Sequence, residues 1–166
     1  MPRLTNLTPN MGAFLDMIAR AEIGPQMLAA PCSDDGYREL VGSTPNCIWV
    51  FFPYDDHPFM TKRPIQYAKG AYSSAAGRYQ IMSKWWPHYK KLLQLPDFSP
   101  ESQDLYAIQQ IKEQRAYQDV LDGNIHRAIE RCSNIWASLP GAGYGQHEHA
   151  VTTLVAAYKA AGGTVA

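Results

Sequence analysis

The chain has 166 residues, of which 46% are hydrophobic and 18% charged, with 15 acidic residues balancing 15 basic ones. These proportions exclude wholesale disorder, the length suits one domain with a single core, and zero net charge argues against a nucleic-acid-binding protein. Since the first ten residues lack an apolar stretch and no apolar run reaches membrane-spanning length, we expect neither a Sec-type signal peptide nor membrane insertion.

Residues 11–23 carry the pattern of an amphipathic helix. Apolar side chains recur three and four positions apart, and Gly24 followed by Pro25 ends the helix. The stripe consists of Phe14, Met17, Ile18 and Ala21. Residues 31–79 are broken by prolines and glycines into short pieces, which predicts small hairpins and long loops, with a β-prone run at 47–52.

Helices return after residue 80. Ser83 is placed to cap a helix over residues 84–94, and Ser99 followed by Pro100 and Glu101 indicates the start of another. The predicted buried positions are Trp85, Trp86, Tyr89, Leu92 and Leu93 in the first of these, and Leu105, Ile108 and Ile111 in the second.

Two shorter helical segments follow. Asp122 and Gly123 interrupt the pattern, which resumes over residues 125–133, and a last helix is closed by Gly162 and Gly163. The apolar positions are Ile125, Ala128, Ile129 and Cys132, then Val151, Leu154, Val155 and Tyr158. Several helices, with one patch of hairpins inserted after the first, predict an α+β fold in which helix predominates.

Glu22 stands out by its position on the first helix. At about 100° per residue it lies about 80° round from Phe14, at the edge of the apolar face. In the last turn its carboxylate meets the negative end of the helix dipole, and partial burial adds a desolvation cost. Both effects raise the pKa of a carboxyl group, as a general acid requires, although a solvated glutamate on a short helix is also consistent with this position.

Two small-residue motifs are candidates for ligand binding. The first motif is residues 73–80, which begins at Ser73. Its small residues allow the backbone to approach a ligand closely, and Tyr79 and Gln80 supply hydrogen-bond donors. Residues 134–146 place Trp136 and Tyr144 near three glycines, which suits stacking on sugar rings. A loop-to-helix junction and a flexible connector are the structural alternatives.

Metal and thiol chemistry are disfavoured. His147 and His149 match no zinc-peptidase spacing, and we expect no metal and no cofactor. Cys132 lies on an apolar stripe and is interpreted as core. The other two cysteines, Cys32 and Cys47, share an irregular stretch and could pair, but three reduced thiols are expected in a cytosol.

Three features in this order resemble the endolysin family of bacteriophage lambda: the glutamate-bearing helix, Gly-Arg-Tyr-Gln at 77–80 and Gly-Tyr-Gly at 143–145. The likeness extends over about residues 13–165, and its most distinctive block is 132–146. The resemblance implies a single lysozyme-like domain over residues 1–166. It would have a helical lobe at 80–163, a small β lobe at about 31–79 and a glycan cleft between them.

The resemblance also implies a function. Members of the family are lytic transglycosylases, which cleave the MurNAc-β-1,4-GlcNAc bond of peptidoglycan and leave 1,6-anhydro-MurNAc. Glu22 matches the catalytic glutamate, and Tyr79, Gln80 and Tyr144 match glycan-binding or glutamate-supporting positions. The loops at 54–72 and 136–147 look like the mobile lips of the family.

The expected partner is the glycan strand of peptidoglycan, and we expect a monomer. The enzyme would collect in the host cytoplasm and act in the periplasm for host-cell lysis, after a holin breaches the membrane, as the resemblance implies. Because the net charge is zero, wall binding should depend less on salt than for a basic lysozyme. Any local basic patch is expected at Lys62, Arg63, Lys69 and Arg78.

Three alternatives stay open. A muramidase would hydrolyse the same bond and need a second carboxylate, for which the candidates are Asp34, Asp35, Asp55 and Asp56. A non-catalytic glycan-binding module would use Tyr79, Trp136 and Tyr144 only for stacking. A zinc amidase or endopeptidase would cut the peptide stems and be inhibited by chelators.

Overall fold

In a computed structural model, which describes residues 1–143, 145 and 147–166, the chain forms two compact units. The first unit contains Met1–Glu22 and Ala107–Ala166, and the second contains Ile23–Tyr106. These bounds differ from those of the predicted lobes, because residues 80–106 cluster with the strands and loops that precede them.

The first unit is helical. It contains α1 (Pro9–Glu22), the end of α4 (Pro100–Glu113), α5 (Tyr117–Leu121), α6 (Ile125–Cys132) and α7 (Val151–Ala160). Helix α1 packs against α5 and α7, and α6 contacts the same two helices. The four predicted core positions of α6 are each at most 1% exposed, which confirms that stripe.

Helix α1 begins earlier than the apolar pattern indicated. The hydroxyl of Thr8 accepts a hydrogen bond from the main-chain N–H of Met11 at 3.2 Å, and Pro9 occupies the first helical position. At the other end Gly24 has a φ of +93°, a conformation that costs glycine little, and the helix ends at Glu22 as the Gly24 signal predicted. The helix therefore places Glu22 at its C-terminus.

The second unit carries the strands and the shorter helices. Strand β1 (Ile65–Ala68) pairs antiparallel with β2 (Ala71–Ser73), and β3 (Ala75–Ala76) pairs antiparallel with β4 (Ile81–Met82). The unit also contains α2 (Pro25–Leu28), α3 (Trp86–Leu92) and the first part of α4. The predicted hairpins are present, but residues 47–52 form only isolated bridges to residues 39 and 44.

The predicted start of α3 is wrong. The hydroxyl of Ser83 donates to the hydroxyl of Ser74 at 2.8 Å and does not cap the helix, which begins at Trp86. Three side chains predicted to be buried are instead 42–52% exposed: Trp85, Leu92 and Leu105. Periodicity shows which residues share a face, but it does not show how far neighbouring elements cover that face.

The predicted helix start at Ser99 is confirmed. The hydroxyl of Ser99 accepts from the N–H of Ser102 at 3.4 Å, and α4 begins at Pro100. All three cysteines are free; Cys132 is buried, and the other two are exposed. Among the described residues, no helix has the length and apolar character needed to cross a membrane.

Candidate active site

Glu22 lies at the end of α1, is partly buried and contacts Ser138, which is 116 positions away in the chain. Its Oε1 atom accepts hydrogen bonds from the Ser138 hydroxyl at 2.5 Å and from the Ser138 main-chain N–H at 3.3 Å. Among the described residues, no donor lies within hydrogen-bond distance of Oε2. One oxygen of the carboxyl group is thus held, and the other is left to carry a proton.

Burial raises the pKa of Glu22 above its usual value, and the two hydrogen bonds from Ser138 lower it by a smaller amount. The net rise keeps this carboxyl group protonated to higher pH than an exposed glutamate. A half-covered carboxylic acid with one free oxygen is a proton donor of the kind that general acid catalysis requires. The position of Glu22 in the last turn of an amphipathic helix predicted the direction of this pKa shift.

The Gly-Arg-Tyr-Gln motif belongs to the second unit, where most of it is buried. A Cβ atom on Gly77 would lie 2.1 Å from Oε1 of Gln103, the atom that accepts the Arg78 N–H at 2.9 Å. The Arg78 guanidinium forms a 2.9 Å ion pair with Asp35. Because Arg78 is 1% exposed, it does not belong to the basic surface patch predicted for it.

Tyr79 is also interior. It is 1% exposed, and its hydroxyl donates to Oδ1 of Asp104 at 2.6 Å, the same oxygen that accepts the hydroxyl of Tyr37 at 2.7 Å. In the first unit, Trp136 is 3% exposed. This burial does not support the predicted stacking of Tyr79 and Trp136 on sugar rings, since neither ring presents an open face.

Gln80 and Ser73 are partly exposed. Gln80 has a φ of +48°, a left-handed conformation that is uncommon for a residue with a side chain and is often found at functional sites. Its side-chain amide donates to the carbonyl of Gly77 at 3.0 Å. The hydroxyl of Ser73 accepts the N–H of Ala75 at 3.2 Å. Tyr144 lies outside the described residues, and glycan contacts by all three side chains stay predictions.

The aspartates considered as second catalytic acids mostly form structural contacts. Asp34 accepts the Tyr54 hydroxyl at 2.7 Å, and Asp35 pairs with Arg78. Asp56 accepts the indole N–H of Trp86 at 2.6 Å and pairs with a lysine, while Asp55 is exposed. Within the described residues no group of three or more His, Cys, Asp or Glu side chains is arranged to hold a metal ion.

Three residues of this unit make contacts that the sequence did not indicate, and one of them, Ser138, contacts Glu22 directly. Ser138 lies within residues 132–146, the block that most resembles the endolysin family. Nothing in its local sequence indicates that it contacts a glutamate in the first helix. His149 was weighed only as a metal ligand; its Nε2 atom lies 3.2 Å from the carbonyl oxygen of Ala21. Glu148 accepts main-chain N–H groups from the glycine-rich loop.

The family model described as Endolysin matches residues 12–165. The chain is 48% identical to the endolysin of Escherichia phage P2 over 164 residues, which is 97% of this chain and 98% of that one. It is 48% identical to the endolysin of Escherichia phage lambda over 153 residues, which is 92% and 91% of the two chains.

Two solved structures of lysozyme from bacteriophage lambda point to the same family. Bacteriophage lambda lysozyme complexed with a chitohexasaccharide superposes with a TM-score of 0.85 and 44% identity, covering 98% of this chain and all of that one. A second structure of lysozyme from bacteriophage lambda gives a TM-score of 0.82 at the same identity and coverage. The fold is therefore lysozyme-like, as the sequence predicted, and the chain belongs to the endolysin family.

Proposed function

We propose that this chain is a lytic transglycosylase that cleaves the MurNAc-β-1,4-GlcNAc bond of peptidoglycan, with Glu22 as its only catalytic carboxyl group. Membership of the endolysin family makes it an enzyme that acts on peptidoglycan. The lambda lysozyme was solved with a chitohexasaccharide, which supports a glycan substrate. The observation that carries the proposal is the raised pKa of a carboxyl group with one held and one free oxygen.

In the first step, protonated Glu22 donates its proton to the glycosidic oxygen. The bond from that oxygen to C1 of the muramic acid breaks, the GlcNAc leaves as an alcohol, and positive charge develops at C1 as in an oxocarbenium ion. Glu22 is now a carboxylate. The hydrogen bonds from Ser138 stabilise this ionised form, because they donate to Oε1.

In the second step, ionised Glu22 accepts the proton of the C6 hydroxyl on the same muramic acid. The C6 oxygen forms a bond with C1, the 1,6-anhydro ring closes, and Glu22 regains its proton. Because the nucleophile belongs to the substrate, no water has to be positioned, and proximity supplies much of the rate. One carboxyl group completes the cycle.

The muramidase alternative would require a second carboxylate to position water or to stabilise the cation. Three of its four candidate aspartates form the ion pairs and hydrogen bonds described above. This arrangement favours the transglycosylase over the hydrolase.

The test is mass analysis of the muropeptides released from purified sacculi. We expect products one water lighter than reducing muropeptides; reducing muramic ends would refute the transglycosylase and support the muramidase. Glu22→Gln keeps the shape of the side chain and removes the acid, so activity should fall about 100- to 10,000-fold. Glu130→Gln removes a carboxylate exposed on α6 and is the matched control. Full activity in Glu22→Gln would refute the assignment of the acid.

A further inference from the structure

The carboxylate of Glu148 binds back onto the glycine-rich loop that follows Ser138. Its Oε2 atom accepts the main-chain N–H of Gly141 at 2.8 Å, and its Oε1 atom accepts that of Gly143 at 2.9 Å. Both glycines have positive φ, +84° and +72°, so their N–H groups are presented by a backbone conformation that other residues rarely adopt. These bonds hold the pKa of Glu148 below its usual value, so the group is ionised at neutral pH.

His149 joins the loop to the end of α1. Its main-chain N–H donates to the carbonyl of Ser138 at 2.9 Å, and its Nε2 atom lies 3.2 Å from the carbonyl oxygen of Ala21. Because a carbonyl oxygen can only accept, Nε2 must carry the hydrogen in this bond. The carbonyl of Ala21 lies in the last turn of α1, where carbonyls lack partners within the helix. His149 is thus bonded both to Ala21, the chain neighbour of Glu22, and to Ser138, the residue that donates to Glu22.

We propose that Glu148 and His149 are positioning residues of the reaction, which together hold the hydroxyl of Ser138 on the catalytic carboxyl group of Glu22. We call their four hydrogen bonds the clasp: Glu148 to the N–H groups of Gly141 and Gly143, and His149 to the carbonyls of Ser138 and Ala21. The inference rests on the proposed function, since it needs Glu22 to act as acid and base.

The clasp acts on the ionised state of Glu22. Ser138 donates two hydrogen bonds to Oε1, and these favour the carboxylate that exists between the two steps. If the loop shifts, the serine hydroxyl leaves and the carboxylate loses a donor. Glu22 would then lose its proton only at higher pH, and the intermediate state would be less stable. Neither effect requires a direct contact between the clasp and the substrate.

The first test compares Glu148→Gln with Glu130→Gln, which removes the same charge from an exposed site in the same unit. A glutamine oxygen can accept one of the two glycine N–H groups, but the amide nitrogen cannot accept the other. We expect kcat on sacculi to fall about tenfold or more in Glu148→Gln, with a smaller change in KM and none in the control. Equal kinetics in the two variants would overturn the clasp.

The pH profile separates positioning from general destabilisation. Loss of the Ser138 donor raises the pKa of Glu22, so the alkaline limb of kcat should move to higher pH in both Glu148→Gln and Ser138→Ala. The ring of His147 lies against that of His149, with 5.0 Å between the two ring centroids. The variant His147→Phe measures how far the His147 side chain itself shifts the alkaline limb of the kcat profile. A lower kcat with an unmoved limb would assign Glu148 a structural role only.

A double-mutant cycle completes the test. If Glu148 acts through Ser138, adding Glu148→Gln to Ser138→Ala should change kcat and the limb little further, whereas independent roles would add. His149→Phe breaks the clasp at its other end and should shift the alkaline limb of kcat in the same direction. This second variant keeps the test valid if Glu148→Gln fails to fold. If Glu22→Gln loses activity but Glu148→Gln and His149→Phe behave like the wild type, only this inference is refuted. Retained activity in Glu22→Gln refutes the proposed function.

Discussion

Glu39 carries a buried carboxyl group, and removing that group should change how the stability of the fold depends on pH. Its side chain is 2% exposed, and among the described residues its Oε2 atom has no hydrogen-bond partner. Its main chain is fixed, since its carbonyl accepts the N–H of Gly77 at 2.7 Å and its backbone bridges to Val50. Burial raises the pKa of this group from 4.5 to about 8.

The size of the effect follows from proton linkage. Above pH 4.5 the unfolded chain releases this proton, while the folded chain retains it up to about pH 8. The folded state is therefore destabilised progressively between these two values, by about 1.4 kcal/mol per pH unit, and the loss is constant at higher pH. At pH 7 the penalty from this one group is about 3 kcal/mol, a large share of a typical unfolding free energy.

Glu39→Gln removes the titration and keeps the side-chain shape. The free energy of unfolding is measured by urea denaturation at constant ionic strength from pH 4.5 to 8.5. We expect the difference between Glu39→Gln and the wild type to grow by about 3 kcal/mol in favour of the variant from pH 4.5 to 7, then to level off near pH 8. The control Glu130→Gln should show no such growth. Parallel curves for Glu39→Gln and the wild type would refute the reasoning.

Three further predictions follow from the packing and charge of individual residues. Gly77→Ala should destabilise the fold by about 1 kcal/mol or more, because its Cβ would clash with Gln103 at a φ of +77°, whereas Gly12→Ala, with open space in α1, should stabilise by about 0.5–1 kcal/mol; urea denaturation measures both, and equal shifts would contradict this. Burial raises the pKa of Cys132 to about 12, so a thiol reagent should label only the two exposed cysteines of the native protein; a third rapid label would show that Cys132 is accessible. Binding of inactive Glu22→Gln to sacculi should weaken only gradually with salt, and a steep loss would indicate steering by a local basic patch on the exposed cations Lys62, Arg63 and Lys69.

Local signals explain what was predicted correctly. The start of α4 at Ser99 and Pro100 and the buried stripe of α6 depend on residues within one or two helical turns, which a sequence displays directly. The same holds for the end of α1 at Glu22, which the following Gly24 signals. The sequence therefore established the order of the main helices, the α+β class and the position of Glu22 at a helix C-terminus.

Tertiary structure decided the rest, because desolvation and long-range hydrogen bonds depend on which surfaces meet. Ser83 binds Ser74 instead of capping a helix, and Trp85 remains exposed although its periodicity indicates burial. The bond from Ser138 to Glu22 spans 116 positions, and no local pattern encodes it. The sequence by itself placed a carboxyl group where its pKa should rise, while folding supplied the serine donor that stabilises its ionised form.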